Sequence, residues 1–358
     1  MAEFNSDPGN HGTDQSGDKD HRDEYMHSDY VLNQRKISLL KVWQVVYPLI
    51  IYSLILIASM YLSMLAIVIR DVMIQVGPAD QMTYQEYNEK TMEAIAAART
   101  DAKMKSYSQT FEAYTPMVTL FGNLLMLPIA LLLYGMDMFF KRKRMQQYLL
   151  QHPEKKPEPS EPPLSGGVIA GISLMAGVGM CLAANLFVTL LKLKGATAST
   201  GTSSQTYSFL YDIQNSVPFQ VFSVVIISAL VEELLFRGVI FRRMRNGSGL
   251  FFCVIFSSMI YASFYGTAAG FVYGFLISVG ACYLYHRTGY LTAPVLYHIF
   301  LNAMTLVFSL LGIHTNAFFG STRRIVLAFL IGLVLLAFVV ILIEYYLLPS
   351  PPKTEKQS

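Results

Sequence analysis

Long apolar runs alternate with polar stretches along this chain of 358 residues. A helix needs roughly 20 apolar residues to cross a ~30 Å hydrocarbon core, and about eight runs approach that length. The runs lie at residues 43–69, 116–140, 166–191, 218–241, 249–266, 268–286, 290–312 and 325–348. Backbone polar groups in lipid must be satisfied within the segment itself, so each span is predicted to be a helix. The pattern therefore predicts an all-α, polytopic helical membrane protein with about eight transmembrane helices.

The polar stretches divide the chain into regions. Two spans come first, and the composition of the outward loop between them, at 71–115, favours an extramembrane helix. A linker rich in proline and charge cannot be helical throughout, and it separates this pair from a block of six spans. The predicted regions are a disordered cytoplasmic tail at 1–37, a two-span region at 38–144, the linker at 145–165, the six-span core at 166–348 and a C-terminal tail at 349–358.

Composition and charge support a membrane location. Apolar residues make up 53% of the chain and charged residues 14%, and the mean hydropathy of +0.41 excludes an ordinary soluble domain. The formal charge is only +3, and nothing in its distribution indicates a nucleic-acid partner. Basic residues flank the spans on one side if both termini are cytoplasmic, although Arg323 and Arg324 depart from this bias. The flanking residues are Arg35, Lys36, Lys41, Lys141, Arg142, Lys143, Arg144, Arg242, Arg243, Arg245 and Arg287. We therefore expect an integral membrane protein, in contact with lipid, with both termini in the cytoplasm.

Two carboxylates and one guanidinium lie inside the fourth predicted span, as Glu232, Glu233 and Arg237. An ionisable group at bilayer depth costs several kcal/mol, so the default interpretation is a functional site. Glu233 and Arg237 are spaced i, i+4 and can pair on one helix face, whereas Glu232 is rotated by about 100° and faces elsewhere. This division predicts a structural ion pair beside a reactive carboxylate that takes a proton from water. The alternative is that both glutamates merely pair with basic residues in the bundle.

A histidine and an asparagine share one face of a later span, since His298 and Asn302 are also spaced i, i+4. Glu232 lies ten residues before Arg242, and His298 lies eleven residues after Arg287. At ~1.5 Å per residue, Glu232 and His298 are both about 15 Å from the cytoplasmic interface. We therefore expect Glu232, His298 and Asn302 to meet in one polar cavity. The alternative for His298 is a buried histidine with ordinary hydrogen-bond partners.

Three groups of residues occur in a characteristic order. They are Glu232-Glu233-x-x-x-Arg237, then Ser257-Ser258-x-x-Tyr261, then His298-x-x-x-Asn302 within a segment that starts at Gly274. Over residues 215–306, this order resembles the CPBP family of intramembrane metalloproteases, which includes CAAX prenyl endopeptidases and bacteriocin-processing or immunity proteins. The resemblance implies a helical membrane core in which a glutamate activates water to hydrolyse a peptide bond, aided by two histidines and an asparagine.

The chain departs from the family pattern at Tyr265, which stands where the second motif has its histidine. A phenol is a poor substitute for neutral imidazole as a zinc ligand, so the candidate Zn²⁺ ligands Glu232 and His298 would form a weak site. Tyr265 can instead donate a hydrogen bond to a developing oxyanion, which is compatible with glutamate-based hydrolysis without a tightly bound metal. On a straight helix, however, Tyr265 lies about twenty residues past Arg245 and should be deeper in the membrane than Glu232.

Other potential metal ligands are better explained in other ways. His286 precedes Arg287 at the predicted cytoplasmic end of a span, where an interfacial histidine is the simpler interpretation. The three cysteines have no paired spacing, so they indicate neither a disulfide framework nor a zinc knuckle.

The leading interpretation is a CPBP-type intramembrane endopeptidase of a bacterial cell membrane that hydrolyses a peptide bond of a membrane-associated protein or peptide. Glu232 is then the general base, His298 a metal ligand or transition-state stabiliser, and Asn302 its helper. The alternative is a catalytically inactive CPBP-like membrane scaffold or bacteriocin-immunity-type protein. A transporter that uses Glu232 for proton coupling is less favoured, because the sequence shows no second-half repeat or pair of broken helices.

Overall fold

The described part of the chain consists of helices and turns. The computed structural model describes residues 39–151, 165–193, 217–246, 248–265, 267–311 and 322–347, and these ranges contain no strand. We label the helices α1 (Leu39–Val76), α2 (Tyr84–Ala98), α3 (Asp101–Gln151), α4 (Gly166–Leu193), α5 (217–245), α6 (Leu250–Ser263), α7 (Ala268–Thr288), α8 (Thr292–Leu310) and α9 (Thr322–Leu347). The all-α prediction is confirmed.

Six of these helices are long and apolar enough to cross a membrane, namely α1, α3, α4, α7, α8 and α9. The protein is therefore a polytopic helical membrane protein, as predicted. The two other predicted spans correspond to α5 and α6. In α5, π-helical segments at Val221–Ser228 and Leu234–Phe241 alternate with α-helical turns. α6 has 14 residues and a length of about 21 Å, which is less than a ~30 Å hydrocarbon core. The count of eight spans stays a prediction.

The predicted outward loop contains α2, a helix of 15 residues that begins after Thr83. The Thr83 hydroxyl accepts a hydrogen bond from the Glu86 backbone N–H at 3.3 Å, and this N-cap satisfies one donor that the first turn leaves free. α3 continues to Gln151 and so covers the start of the predicted linker. The rest of the linker up to residue 164 and both predicted tails lie outside the described residues. The cytoplasmic location of the termini stays a prediction.

The helix that carries the glutamates, α5, packs against both N-terminal spans. Phe236 of α5 shares one hydrophobic core with Tyr52 of α1 and Met126 of α3. Near the end of α5, Arg243 donates two hydrogen bonds to the Asp137 carboxylate of α3, at 2.8 and 3.0 Å. A bidentate pair of this kind fixes geometry as well as adding energy. The N-terminal spans therefore help to position α5.

Small residues let α4 approach α8 and α9 closely. A Cβ added at Gly177 of α4 would lie 2.7 Å from the backbone oxygen of Tyr297, and one added at Gly179 would lie 3.2 Å from the backbone oxygen of Gly332. Membrane helices commonly associate through small residues, because close backbone contact supplies van der Waals energy where lipid weakens the hydrophobic drive. This packing sets the position of α8, which carries His298.

A tight turn reverses the chain between α7 and α8. Gly289 has a φ of 71°, and its N–H donates to the Tyr285 carbonyl at 3.0 Å. Glycine is the common residue at such a left-handed helix end, because it has no Cβ to clash there. The turn makes α7 and α8 neighbours, and α8 also packs against α5. The residues of the first and last sequence motifs are thereby brought together.

Candidate active site

Glu232 lies in the short α-helical segment of α5 between the two π-helical segments, and its side chain is 19% exposed. The Tyr261 hydroxyl of α6 donates a hydrogen bond to Oε2 at 2.7 Å, and the Ser228 hydroxyl, one turn earlier on α5, donates to Oε1. The Nε2 atom of His298, on α8, lies 3.9 Å from Oε2. Glu232 is thus a partly accessible carboxylate surrounded by polar groups from three helices.

Glu233 and Arg237 form the predicted ion pair, and His298 joins it. Arg237 Nη1 donates to Glu233 Oε1 at 2.9 Å, with both side chains fully buried, and Nη2 donates to the Ser278 carbonyl at 3.2 Å. The same Glu233 Oε1 atom lies 2.9 Å from Nδ1 of His298. Because an ionised carboxylate only accepts hydrogen bonds, the proton in this contact belongs to Nδ1. The Nε2 atom of His298 is then the one that faces Glu232.

The ring of Tyr261 is held in place by α5. Its ring centroid lies 5.0 Å from that of Phe236 in an edge-to-face arrangement, and the Arg237 guanidinium carbon lies 4.9 Å from the Tyr261 centroid. Aromatic and cation–π contacts of this kind favour a particular ring orientation. The contacts therefore aim the Tyr261 hydroxyl at Glu232.

Asn302 is buried one helical turn after His298, on the same side of α8. Its Nδ2 atom donates to the Val224 carbonyl of α5 at 3.1 Å. The predicted convergence is therefore observed for Glu232 and His298, whereas the Asn302 amide binds the backbone of α5. Asn302 joins α8 to α5 close to the point where His298 meets the glutamates.

Tyr265 follows the end of α6 and is connected to Glu232 through another hydroxyl. Its hydroxyl oxygen lies 3.1 Å from that of Tyr261, which in turn binds Glu232. The expected mismatch in depth does not arise, because the helix before Tyr265 is short. Tyr265 lies fifteen residues after Leu250, the first residue of α6, and Glu232 lies thirteen residues before Arg245, the last residue of α5.

The sequence motifs assign no role to Ser228 or to the Tyr261 hydroxyl, yet both groups bind Glu232 directly. Ser228 precedes Glu232 by four residues, a spacing that places two side chains on one face of a helix. Tyr261 precedes Tyr265 by the same spacing and belongs to the second motif. The i, i+4 spacing is therefore the sequence feature that could have linked both residues to the site.

The donor atoms around Glu232 do not fit a catalytic zinc site. Such sites use three protein ligands, usually from histidine, cysteine and carboxylate side chains. Glu232 and His298 supply two, and the described residues contain no group of three or more His, Cys, Asp or Glu side chains arranged to hold a metal ion. His286 lies in the last turn of α7, and the three cysteines are buried free thiols. The expectation of Zn²⁺ stays a prediction.

Comparison with known proteins supports the motif assignment. Residues 214–304 match the family described as Type II CAAX prenyl endopeptidase Rce1-like. Over 118 residues, the chain is 25% identical to "Putative membrane peptidase YdiL" of Bacillus subtilis (strain 168), an alignment that covers 31% of this chain and 45% of that protein. The chain thus spans less than half the length of this relative. No solved structure matches the chain. The matched segment contains the glutamate pair, Tyr261, His298 and Asn302, and its similarity to these proteins supports the resemblance to the CPBP family.

Proposed function

We propose that this protein is an intramembrane endopeptidase that hydrolyses a peptide bond with a glutamate-activated water. The observation that supports this proposal best is the 3.9 Å approach of His298 Nε2 to Glu232 Oε2. A carboxylate and an imidazole nitrogen face each other there, within a bundle of apolar helices. Polar groups at this depth are costly and are retained mainly where they do chemistry or carry a proton or ion.

In the proposed mechanism, Glu232 is the general base. A separation of 3.9 Å suits a water that bridges the two atoms, with one hydrogen directed at Glu232 Oε2 and the other at His298 Nε2. As one O–H bond of the water breaks, its proton passes to Glu232 and its oxygen bonds to the carbonyl carbon of the substrate. Glu232 then delivers that proton to the amide nitrogen as the C–N bond breaks, so the carboxylate is regenerated.

Two residues support His298 in this mechanism. Glu233 accepts from Nδ1 at 2.9 Å, so it selects the tautomer in which Nε2 is free to accept a hydrogen bond from the water. Asn302 is the proposed helper, since its bond to the Val224 carbonyl holds the helix of His298 against α5. Arg237 holds Glu233 in place through the buried ion pair.

The proposed substrate is a membrane-associated protein or peptide of a bacterial cell membrane. The matched family is described as prenyl endopeptidase-like, which makes a lipid-modified C-terminus one member of this class. Glu232 is only partly exposed and lies among membrane helices, so the scissile bond has to reach it at bilayer depth. This requirement favours a substrate that is itself anchored in the membrane.

A non-catalytic scaffold or immunity-type protein is the second candidate. The observation in its favour is that both oxygens of Glu232 already accept a hydroxyl hydrogen bond, from Ser228 and Tyr261. A carboxylate bound in this way joins α5 to α6, which is a structural role that needs no catalysis. Tyr265, which stands where the family pattern has a histidine, also favours a non-catalytic protein.

The experiment uses cells of the source organism from which the gene has been deleted. These cells are compared with the same cells carrying the wild-type protein, the Glu232→Gln variant or the Glu344→Gln variant. Mass spectrometry of the membrane fraction measures new N-termini produced by proteolysis, and blotting confirms equal amounts of folded protein. We expect new N-termini with the wild type that are absent with Glu232→Gln, because the amide keeps the shape but cannot take a proton. Glu344→Gln is the matched control, since this carboxylate on α9 pairs with Arg287, away from the proposed site. Identical N-termini with wild type and Glu232→Gln would refute proteolysis and favour the scaffold.

A further inference from the structure

Tyr265 occupies a slot against α7 that only glycine residues leave open. A Cβ added at Gly274 would lie 2.6 Å from both Cδ2 and Cε2 of the Tyr265 ring, and one added at Gly270 would lie 2.8 Å from the Tyr265 Cβ. Real Cβ atoms do not approach other atoms this closely. The two glycines are one turn apart on α7, so they form a continuous flat surface for the ring.

Two other aromatic rings flank Tyr265 in this slot. The Tyr265 ring centroid lies 5.7 Å from that of Tyr261 and 5.9 Å from that of Tyr273, both edge to face. Tyr265 therefore cannot swing away from Gly274 without losing contacts on other sides. Its hydroxyl is held 3.1 Å from the Tyr261 hydroxyl by packing as well as by the hydrogen bond.

The direction of the hydrogen bonds follows from the number of protons. A phenol has one O–H to donate, and Tyr261 uses its O–H to bind Glu232 Oε2 at 2.7 Å. The Tyr261 oxygen must therefore accept in its contact with Tyr265, and Tyr265 is the donor. Consecutive hydrogen bonds polarise one another and strengthen the bond at the end of the chain.

We propose that Tyr265 and Tyr261 form a two-hydroxyl relay that holds the Glu232 carboxylate in its reactive orientation, and that Gly270 and Gly274 set the relay by shaping the slot for Tyr265. Tyr265, Gly270 and Gly274 are positioning residues, since they act on Glu232 through Tyr261. The effect of the relay on cleavage rests on the proposed proteolytic function, whereas the slot for Tyr265 can be tested without any substrate.

The slot is tested by unfolding the full chain in detergent with Gly274→Ala, Tyr265→Ala and the double variant. We expect Gly274→Ala to lower the unfolding midpoint of the wild type, because the added methyl collides with the ring. In the Tyr265→Ala background, the same substitution should lower the midpoint less, because the ring is gone and the close contact that remains is with the Ala262 Cα at 3.2 Å. Gly171→Ala on α4 is the control, since a Cβ there meets nothing within 4 Å. Equal shifts from Gly274→Ala in both backgrounds would overturn the slot.

The relay is tested by the amount of Glu232-dependent new N-termini at equal levels of folded protein. Tyr261→Phe should reduce cleavage roughly 10- to 100-fold, as expected for loss of a hydrogen bond to a charged group. Tyr265→Phe should also reduce cleavage, although the phenyl ring still fills the slot and the unfolding midpoint should stay near that of the wild type. A purely packing role for Tyr265 would leave cleavage intact in this variant.

The outcomes separate the relay from the proposed function. Wild-type cleavage by Tyr265→Phe, together with inactive Glu232→Gln, would overturn the relay and leave the protease intact. Full activity of Glu232→Gln would refute the protease and with it the catalytic consequence of the relay. In that case the unfolding measurements still decide whether the two glycines hold Tyr265.

Discussion

Replacing Arg237 by alanine should destabilise the protein more than any surface substitution. The guanidinium is fully buried, and it binds Glu233 Oε1 at 2.9 Å and the Ser278 carbonyl at 3.2 Å. Without it, the buried Glu233 carboxylate keeps His298 Nδ1 as its hydrogen-bond partner but loses its counter-ion. Breaking a buried ion pair by removing one partner costs about 3 to 5 kcal/mol, whereas the charge-assisted hydrogen bond to the Ser278 carbonyl is worth about 1.5 to 3 kcal/mol.

The stranded charge therefore dominates the expected loss in the free energy of unfolding. We expect Arg237→Ala to lower it by about 3 to 5 kcal/mol, measured by SDS titration of the protein in mixed micelles. Arg323→Ala is the control, because this arginine is exposed in the first turn of α9 and should change stability by less than about 0.5 kcal/mol.

A double variant separates stranded charge from lost packing. Arg237→Met with Glu233→Gln removes both charges while keeping similar volume, so it should be more stable than Arg237→Ala. If Arg237→Ala unfolds within about 1 kcal/mol of the wild type, or if the double variant is less stable than the single one, a stranded Glu233 charge does not determine the stability of Arg237→Ala.

Two further predictions concern other parts of the molecule. Tyr265→His should preserve or raise cleavage and increase the zinc content found by elemental analysis, because a second imidazole would complete a more ordinary site; unchanged zinc would contradict this. Outside the membrane spans, burial and then the hydrogen bond to Asp71 raise the pKa of Tyr107 from 10.0 to about 12. A raised pKa means that Tyr107 contributes its stabilisation fully below pH 10 and loses it as the pH rises toward about 12. The difference in unfolding free energy between wild type and Tyr107→Phe should therefore shrink over that range, and a constant difference would rule out the linkage.

Local spacing predicted the parts of the site that depend on one helix. The Glu233 and Arg237 pair follows from i, i+4 periodicity, and the observed contact at 2.9 Å matches it. Counting residues from the basic flanks placed Glu232 and His298 at one depth, which the 3.9 Å separation bears out. Periodicity and helix rise are properties of a single segment, so no tertiary information was needed.

Contacts between helices could not be predicted from residue spacing in the same way. His298 binds Glu233 through Nδ1, although the sequence argument paired it with Glu232, because the choice depends on how α8 is rotated against α5. That rotation is set by close packing at residues such as Gly177 on α4. Likewise, the Asn302 bond to the Val224 carbonyl joins a side chain to a backbone group, which leaves no signature in residue types.

If α6 crosses the bilayer, as the sequence predicts, its shortness affects the lipid as well as the protein. A helix of 14 residues falls ~9 Å short of the mean hydrocarbon thickness. A bilayer adapts to such a mismatch by local thinning, at a cost of fractions of a kcal/mol per Å. Thinning beside α6 draws head groups and their water toward the end of the helix, where Tyr265 and Glu232 lie. The water supply to Glu232 would then depend on acyl-chain length, so the surrounding membrane would act as part of the proposed site.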